Sequence, residues 1–173
     1  PELDPQYIAT HDKQIVMKKK LAPLASAIIS VSENTKKDII RILGIPDNKV
    51  HVIYHGCSFP QVRVEDSSFC VSERYVLYVG DRFFRYKNFD LLVRYIASFI
   101  HRHKEVKVVC TGKPFTRKEL EMFKRYKVQE HFVHFWVSSD EEFFLLYHRA
   151  MCFVYPSEYE GFGIPILEAY KAD

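Results

Sequence analysis

From Arg74 onward, short apolar runs alternate with stretches of helical length, and that alternation limits the fold more than any other feature of the chain. Tyr75 to Val79, Val106 to Cys110, His131 to Trp136 and Met151 to Tyr155 read as strands. Phe89 to His103, Arg117 to Tyr126, Asp140 to His148 and a stretch opening at Ile164 read as helices. Strands interleaved with helices form parallel sheets covered on both faces, so the expected class is α/β, a Rossmann-like doubly wound parallel sheet. The last helix is still short at Asp173, and an open sheet needs a further strand at its edge, so the chain reads as incomplete.

The first part carries a helix over Asp12 to Leu21, a strand over Ala27 to Val31, a helix over Glu33 to Leu43 and a strand over Val50 to Tyr54. Ser32 is a good N-cap for the second helix, and Gly44-Ile-Pro46 stops it. Residues 57–72 hold Ser, Pro, Gln and charges without a period. The organisation expected is therefore the tail of one domain over 1–56, a linker over 57–72 and a second domain over 73–173.

Composition narrows the function classes. With 47% hydrophobic and 27% charged residues the chain can bury a core, and a net charge of +3 does not call for nucleic acid. Phe83-Phe84, Phe132 and Phe143-Phe144 fall at core-like spacings, and no base-stacking motif of an RNA-binding module is present. Cys57, Cys70, Cys110 and Cys152 lack C-x-x-C spacing; Cys110 and Cys152 lie in apolar runs, which suits buried free thiols in a reducing compartment. No run approaches the roughly 18 apolar residues of a membrane span, and Pro1 to Pro5 is no signal peptide, so a cytoplasmic location is expected. His101 and His103 point apart on a helix, His11-Asp12 reads as surface, and no metal site or cofactor is implied. Lys18 to Lys20, beside Ile15, Val16, Met17 and Leu21, form a solvated helix face or, alternatively, touch an anionic membrane surface.

The chemistry concentrates in Tyr155-Pro-Ser-Glu-Tyr-Glu160-Gly-Phe-Gly-Ile-Pro-Ile-Leu-Glu168, where two glutamates stand eight positions apart around a Gly-Phe-Gly turn, after a strand and into a helix. Ligands of parallel sheets bind beyond the strands' carboxyl ends, and glycines there let backbone amides approach an anion. Two carboxylates beside such amides suit a ligand with both hydroxyls and phosphates. At the same sheet edge, after Tyr75 to Val79, come Gly80, Arg82, Arg85 and Lys87, and Gly112 follows the next strand. Each has a plainer reading: a helix-end charge for Glu168, a solvated Glu160, a basic loop, structural glycine turns.

This segment resembles the Glu-x7-Glu signature of retaining nucleotide-sugar glycosyltransferases of family 4, which have the two-domain GT-B fold. Val31-Ser-Glu-Asn-Thr-Lys-Lys-Asp38, Val52-Ile-Tyr-His-Gly56, Tyr78-Val-Gly-Asp-Arg-Phe-Phe-Arg-Tyr-Lys-Asn-Phe89 and Asp140-Glu-Glu-Phe-Phe-Leu-Leu-Tyr147 are similar to further family blocks, in the family's order. The resemblance implies that residues 1–56 end an acceptor-binding domain and 73–173 form most of a nucleotide-sugar-binding domain. It implies a mannosyltransferase-like enzyme that moves a hexosyl unit from a GDP- or UDP-sugar to a glycan or lipid-linked acceptor. Glu160 would then reach the donor sugar and Glu168 the ribose. The amides of Gly161, Phe162, Gly163 and Ile164 would face sugar or phosphate, Gly80 and Gly112 would line the nucleotide, and Lys87 with Arg82 or Arg85 would neutralise the diphosphate. Where the family often has a glycine near the base, this chain has Trp136-Val-Ser-Ser. The alternatives are a non-catalytic nucleotide-sugar-binding subunit and a phosphorylase or epimerase of similar topology.

Overall fold

A computed structural model describes residues 13–60, 62, 71 and 74–173; Cys70, His11-Asp12 and most of the expected linker lie outside the described residues. The chain divides into two compact units, the first running to Gly56 and including Tyr159–Ile164, the second made of Cys57–Glu158 and Pro165–Asp173.

In the first unit, α1 (Lys13–Leu21) is followed by β1 (Ile28–Ser30), α2 (Glu33–Leu43) and β2 (Val50–Val52), and β1 pairs parallel with β2. The ends of α2 follow from its sequence. Ser32 Oγ accepts the Thr35 amide at 3.0 Å, and Gly44 closes the helix at φ +67°, a conformation that costs glycine little. Ile39, Ile45 and Val50 make its small core. On α1 the apolar residues do not gather on a covered face, since Val16, Met17 and Leu21 are all exposed.

The second unit is a four-stranded parallel sheet of order β5-β4-β3-β6, with β3 (Tyr75–Tyr78), β4 (Lys107–Cys110), β5 (Phe132–His134) and β6 (Cys152–Phe153). Helices α3 (Phe89–Ile100), α4 (Arg117–Arg125), α5 (Asp140–His148) and α6 (Ile164–Ala172) follow the strands in turn. Side-chain alternation sorts the strands' residues to two cores. Tyr78, Val108, Cys110 and Phe132 pack with Phe89, Val93, Ile100 and Phe123 of α3 and α4. Tyr75, Leu77 and Val109 pack on the other face with Leu146 and Tyr147 of α5 and Ala172 of α6. The sheet is thus covered on both sides, as expected of a doubly wound fold.

Three expectations about burial fail. Cys152 is exposed because β6 is the edge strand of the described sheet, whereas Cys110, in β4 between two neighbours, is wholly buried and burial pushes its thiol up. Phe83 is 85% exposed and Phe84 is also exposed, because they sit in the loop after β3 and not on a helix face. Phe132, by contrast, stacks on Phe123 with ring centroids 4.2 Å apart.

Candidate functional site

Chain order across the sheet creates the site. From β3 the chain moves to β4 and β5 on one side, then crosses to β6 on the other, so the carboxyl end of β3 is a topological switch point, where α/β sheets open a crevice. The loop beyond β3 carries Gly80, Arg82, Arg85 and Lys87, with Arg85 to Lys87 forming a 3-10 turn. The segment after β6 is tied to it: the Glu158 amide donates to the Tyr86 carbonyl at 2.9 Å, and Asn88 Nδ2 donates to the Pro156 carbonyl at 3.1 Å.

Both glycines beside the crevice have a geometric reason. Gly112 has φ +89°, and a Cβ there would lie 3.3 Å from the Gly80 carbonyl oxygen, so the loops after β3 and β4 touch through backbone. Gly80 has φ +141°, with Lys87 Nζ 4.0 Å from where its Cβ would be. Lys87 also lies over the rings of Tyr86 and Tyr155, at 5.4 and 5.7 Å.

Arg82 and Arg85 differ sharply. Arg85 is exposed, while the Arg82 side chain is 4% exposed and engaged by protein. Its Nε donates to Glu119 Oε1 at 2.7 Å, Nη1 to the Thr111 carbonyl at 2.6 Å and Nη2 to the Lys113 carbonyl, and the guanidinium lies over Phe115 and Phe89. Glu119 completes a capping box for α4, its Oε2 accepting the Thr116 amide and hydroxyl, both at 2.7 Å. Burial would raise the Glu119 carboxyl, but the Thr116 and Arg82 hydrogen bonds outweigh it and hold the pKa below the usual range. Glu119 had no local signal beyond the Thr116-x-x-Glu119 pattern.

Next to Gly112 lies a cleft of about 510 Å³ lined by Asp81, Thr111, Lys113, Trp136, Val137 and Phe143. Trp136 is 72% exposed, an indole face open to a planar ligand. Glu168, on α6, has its carboxylate oriented by a residue the sequence did not single out for it: Tyr147 Oη donates to Oε2 at 2.8 Å. Burial raises the Glu168 pKa, nearby Asp140 adds to this, and the Tyr147 hydrogen bond works against it.

Glu160, Gly161, Phe162, Gly163 and Ile164 group with the first unit, so the two glutamates of the motif are carried by different units. Gly163 is buried with φ +94°, a left-handed turn that suits glycine. Phe162 packs on Tyr54 and His55, with centroids at 6.0 and 5.4 Å. The Gly161 carbonyl accepts from Ser32 Oγ and, at 3.0 Å, from Thr35 Oγ1. Tyr159 Oη donates to Asp38, which also accepts Arg41 at 2.8 Å. Among the described residues, no group of three or more His, Cys, Asp or Glu could hold a metal ion.

Known proteins share the family and the fold of this chain. An uncharacterized glycosyltransferase of Methanocaldococcus jannaschii is 31% identical over 157 residues, covering 84% of this chain and 40% of the relative. O-antigen chain mannosyltransferase B of Escherichia coli is 27% identical over 156 residues, covering 84% of this chain and 41% of the relative. The chain thus spans about 40% of the length of the curated relatives it matches. Sucrose-phosphate synthase from Thermosynechococcus elongatus shares the fold with a TM-score of 0.71 at 22% identity, covering 98% of this chain and 44% of that one. The α/β fold with parallel sheets is that of GT-B glycosyltransferases. The family model described as glycosyl transferases group 1 matches residues 64–173, and the chain belongs to that family.

Proposed function

We propose that the whole protein is a retaining GT-B hexosyltransferase that uses a nucleotide-diphosphate sugar, GDP- or UDP-linked, as donor and a glycan or lipid-linked hydroxyl as acceptor. A mannosyl unit is the transferred sugar favoured by the relative named as an O-antigen mannosyltransferase. The observation that carries this reading is the back-to-back contact of Gly80 and Gly112 at the switch point, with Lys87 beside it and an aromatic-walled cleft next to it.

In this reading Trp136 and Phe143 cover the base, and the two glycines admit the diphosphate close to backbone. Glu168, held by Tyr147, accepts from the ribose hydroxyls. Glu160 binds donor-sugar hydroxyls, and the amides from Gly161 to Ile164 face sugar or phosphate. The acceptor oxygen forms a bond to the anomeric carbon, the bond from that carbon to the diphosphate breaks, and the hydroxyl proton leaves with the diphosphate or solvent. Charge grows on the departing diphosphate, so fixed cations stabilise the transition state more than the ground state. Lys87 and the exposed Arg85 fit that duty by contact. Arg82, already on three protein acceptors, contributes by holding the Thr111–Lys113 loop that borders the cleft. Residues 1–56 and 73–173 belong to acceptor- and donor-binding domains, joined through 57–72. Work at the cytoplasmic face of a membrane, with Lys18 to Lys20 against anionic lipid, fits a lipid-linked acceptor; no helix among the described residues is long and apolar enough to cross one.

In the full-length enzyme, Lys87→Ala and Glu160→Ala should each lower turnover by about 10²- to 10³-fold, the usual cost of removing one preorganised electrostatic contact. Unchanged turnover in both overturns the site. Calorimetric binding of GDP or UDP with no transfer to any glycan acceptor would support a non-catalytic binding subunit instead.

A further inference from the structure

The Val31–Asp38 block has a place in the sequence pattern but no role in the chemistry above. Ser32, Thr35 and Asp38 are spaced by three and share one face of the start of α2. All three reach the same short turn, more than a hundred residues later in the chain: Ser32 and Thr35 meet the Gly161 carbonyl, and Asp38 meets the Tyr159 hydroxyl. Glu160 lies between those two anchor points. Proton counting supports the clamp. The Thr35 amide donates into Ser32 Oγ; the Ser32 hydroxyl proton faces the Gly161 carbonyl, with Thr35 Oγ1 a longer second acceptor at 3.1 Å, and the Thr35 hydroxyl donates to the carbonyl's second lone pair. A Cβ at Gly161 would lie 3.5 Å from Thr35 Oγ1, so the turn sits directly against the helix start. Asp38, nearly buried, is in turn fixed by Arg41.

We infer that Ser32, Thr35 and Asp38 are positioning residues for Glu160: they clamp the Tyr159–Gly161 turn on both sides and thereby set where its carboxylate meets the donor sugar. This rests on the reading of Glu160 as the sugar contact. A shift of about 1 Å in such a group can cost on the order of 10²-fold in rate.

The test uses the full-length enzyme and calorimetry with GDP-mannose against GDP, and UDP-glucose against UDP, alongside steady-state kinetics. Thr35→Val keeps the shape but lacks the hydroxyl. Ser32→Asp keeps the helix-capping acceptor but has no proton for Gly161. Each should leave nucleoside-diphosphate affinity within about twofold, reduce the extra affinity contributed by the sugar by about tenfold, and lower kcat by about 10- to 100-fold; Thr35→Ser should restore all three. Equal loss of both affinities together with a lower Tm would make the clamp merely structural and overturn the inference. So would wild-type behaviour of both variants beside a strongly impaired Glu160→Ala. A silent Glu160→Ala would instead remove the reading of Glu160 on which the inference stands.

Discussion

The Arg82 cluster of the second unit and the Gly161 clamp of the first solve the same problem by different means. Each holds a glycine-bearing loop through side-chain donors on backbone carbonyls. Around Arg82 the donor is a buried cation with a buried carboxylate partner, side chains 4% and 11% exposed. At Gly161 the donors are two hydroxyls, neutral and only partly buried. Breaking a buried ion pair strands a charge, at a cost of about 3–5 kcal/mol, whereas a lost neutral hydrogen bond costs about 1 kcal/mol. The first arrangement is therefore suited to a permanent wall and the second to a contact that can be tuned.

The strongest way to break this contrast is Glu119→Ala, which leaves Arg82 buried without its carboxylate. Urea unfolding should show a loss of about 3–5 kcal/mol; under 1 kcal/mol, the cluster would be no stiffer than the clamp. Next comes Gly112→Ala, where a positive φ combines with a backbone oxygen 3.3 Å from the new Cβ. A cost of about 1–3 kcal/mol is expected. Gly44→Ala should cost less, since it has the same sign of φ but nothing within 4 Å.

Smaller effects separate two carboxylates whose pKa values are shifted in opposite directions. Burial raises the folded-state pKa of Glu168, so its contribution to stability is present at low pH and is lost as pH rises through that pKa. The Tyr147 hydroxyl stabilises the ionised form, so Tyr147→Phe should destabilise by about 1 kcal/mol at neutral pH and by less once Glu168 is protonated. Parallel denaturation curves at the two pH values check it; equal losses would mean that the hydroxyl does not favour the carboxylate. For Asp38, burial would raise the pKa, but Tyr159 and Arg41 outweigh it and the folded value is depressed. Its contribution is full above the ordinary Asp range and lost as pH falls through the folded pKa. Asp38→Asn should thus give the smallest change, under about 1 kcal/mol at neutral pH. Hydrogen exchange in α2 should become nearly independent of acidification, and a retained acid response would place the titrating group elsewhere.

Legibility of the sequence varied with the range of the forces involved. The bounds of α2 match the expected Glu33 to Leu43 because a serine cap and a left-handed glycine act on adjacent residues. Strands were shorter than their apolar runs: in Met151 to Tyr155 only Cys152–Phe153 is strand, although the Met151 and Val154 amides still donate to the Tyr75 and Leu77 carbonyls of β3. Phe83-Phe84 misled because adjacent aromatics carry no period that tells a loop from a core.

The amino-acid order alone determined the α/β class, the helix caps and the glycines at the sheet's carboxyl edge, because each depends on local periodicity or on backbone freedom at one residue. Tertiary structure alone decided that Arg82 spends its donors on Glu119, Thr111 and Lys113, that Tyr147 faces Glu168, and that Ser32 and Thr35 meet Gly161. Those pairs are separated by 21 to 129 residues. Which donor meets which acceptor over such distances is set by how the chain packs, and no local pattern encodes it.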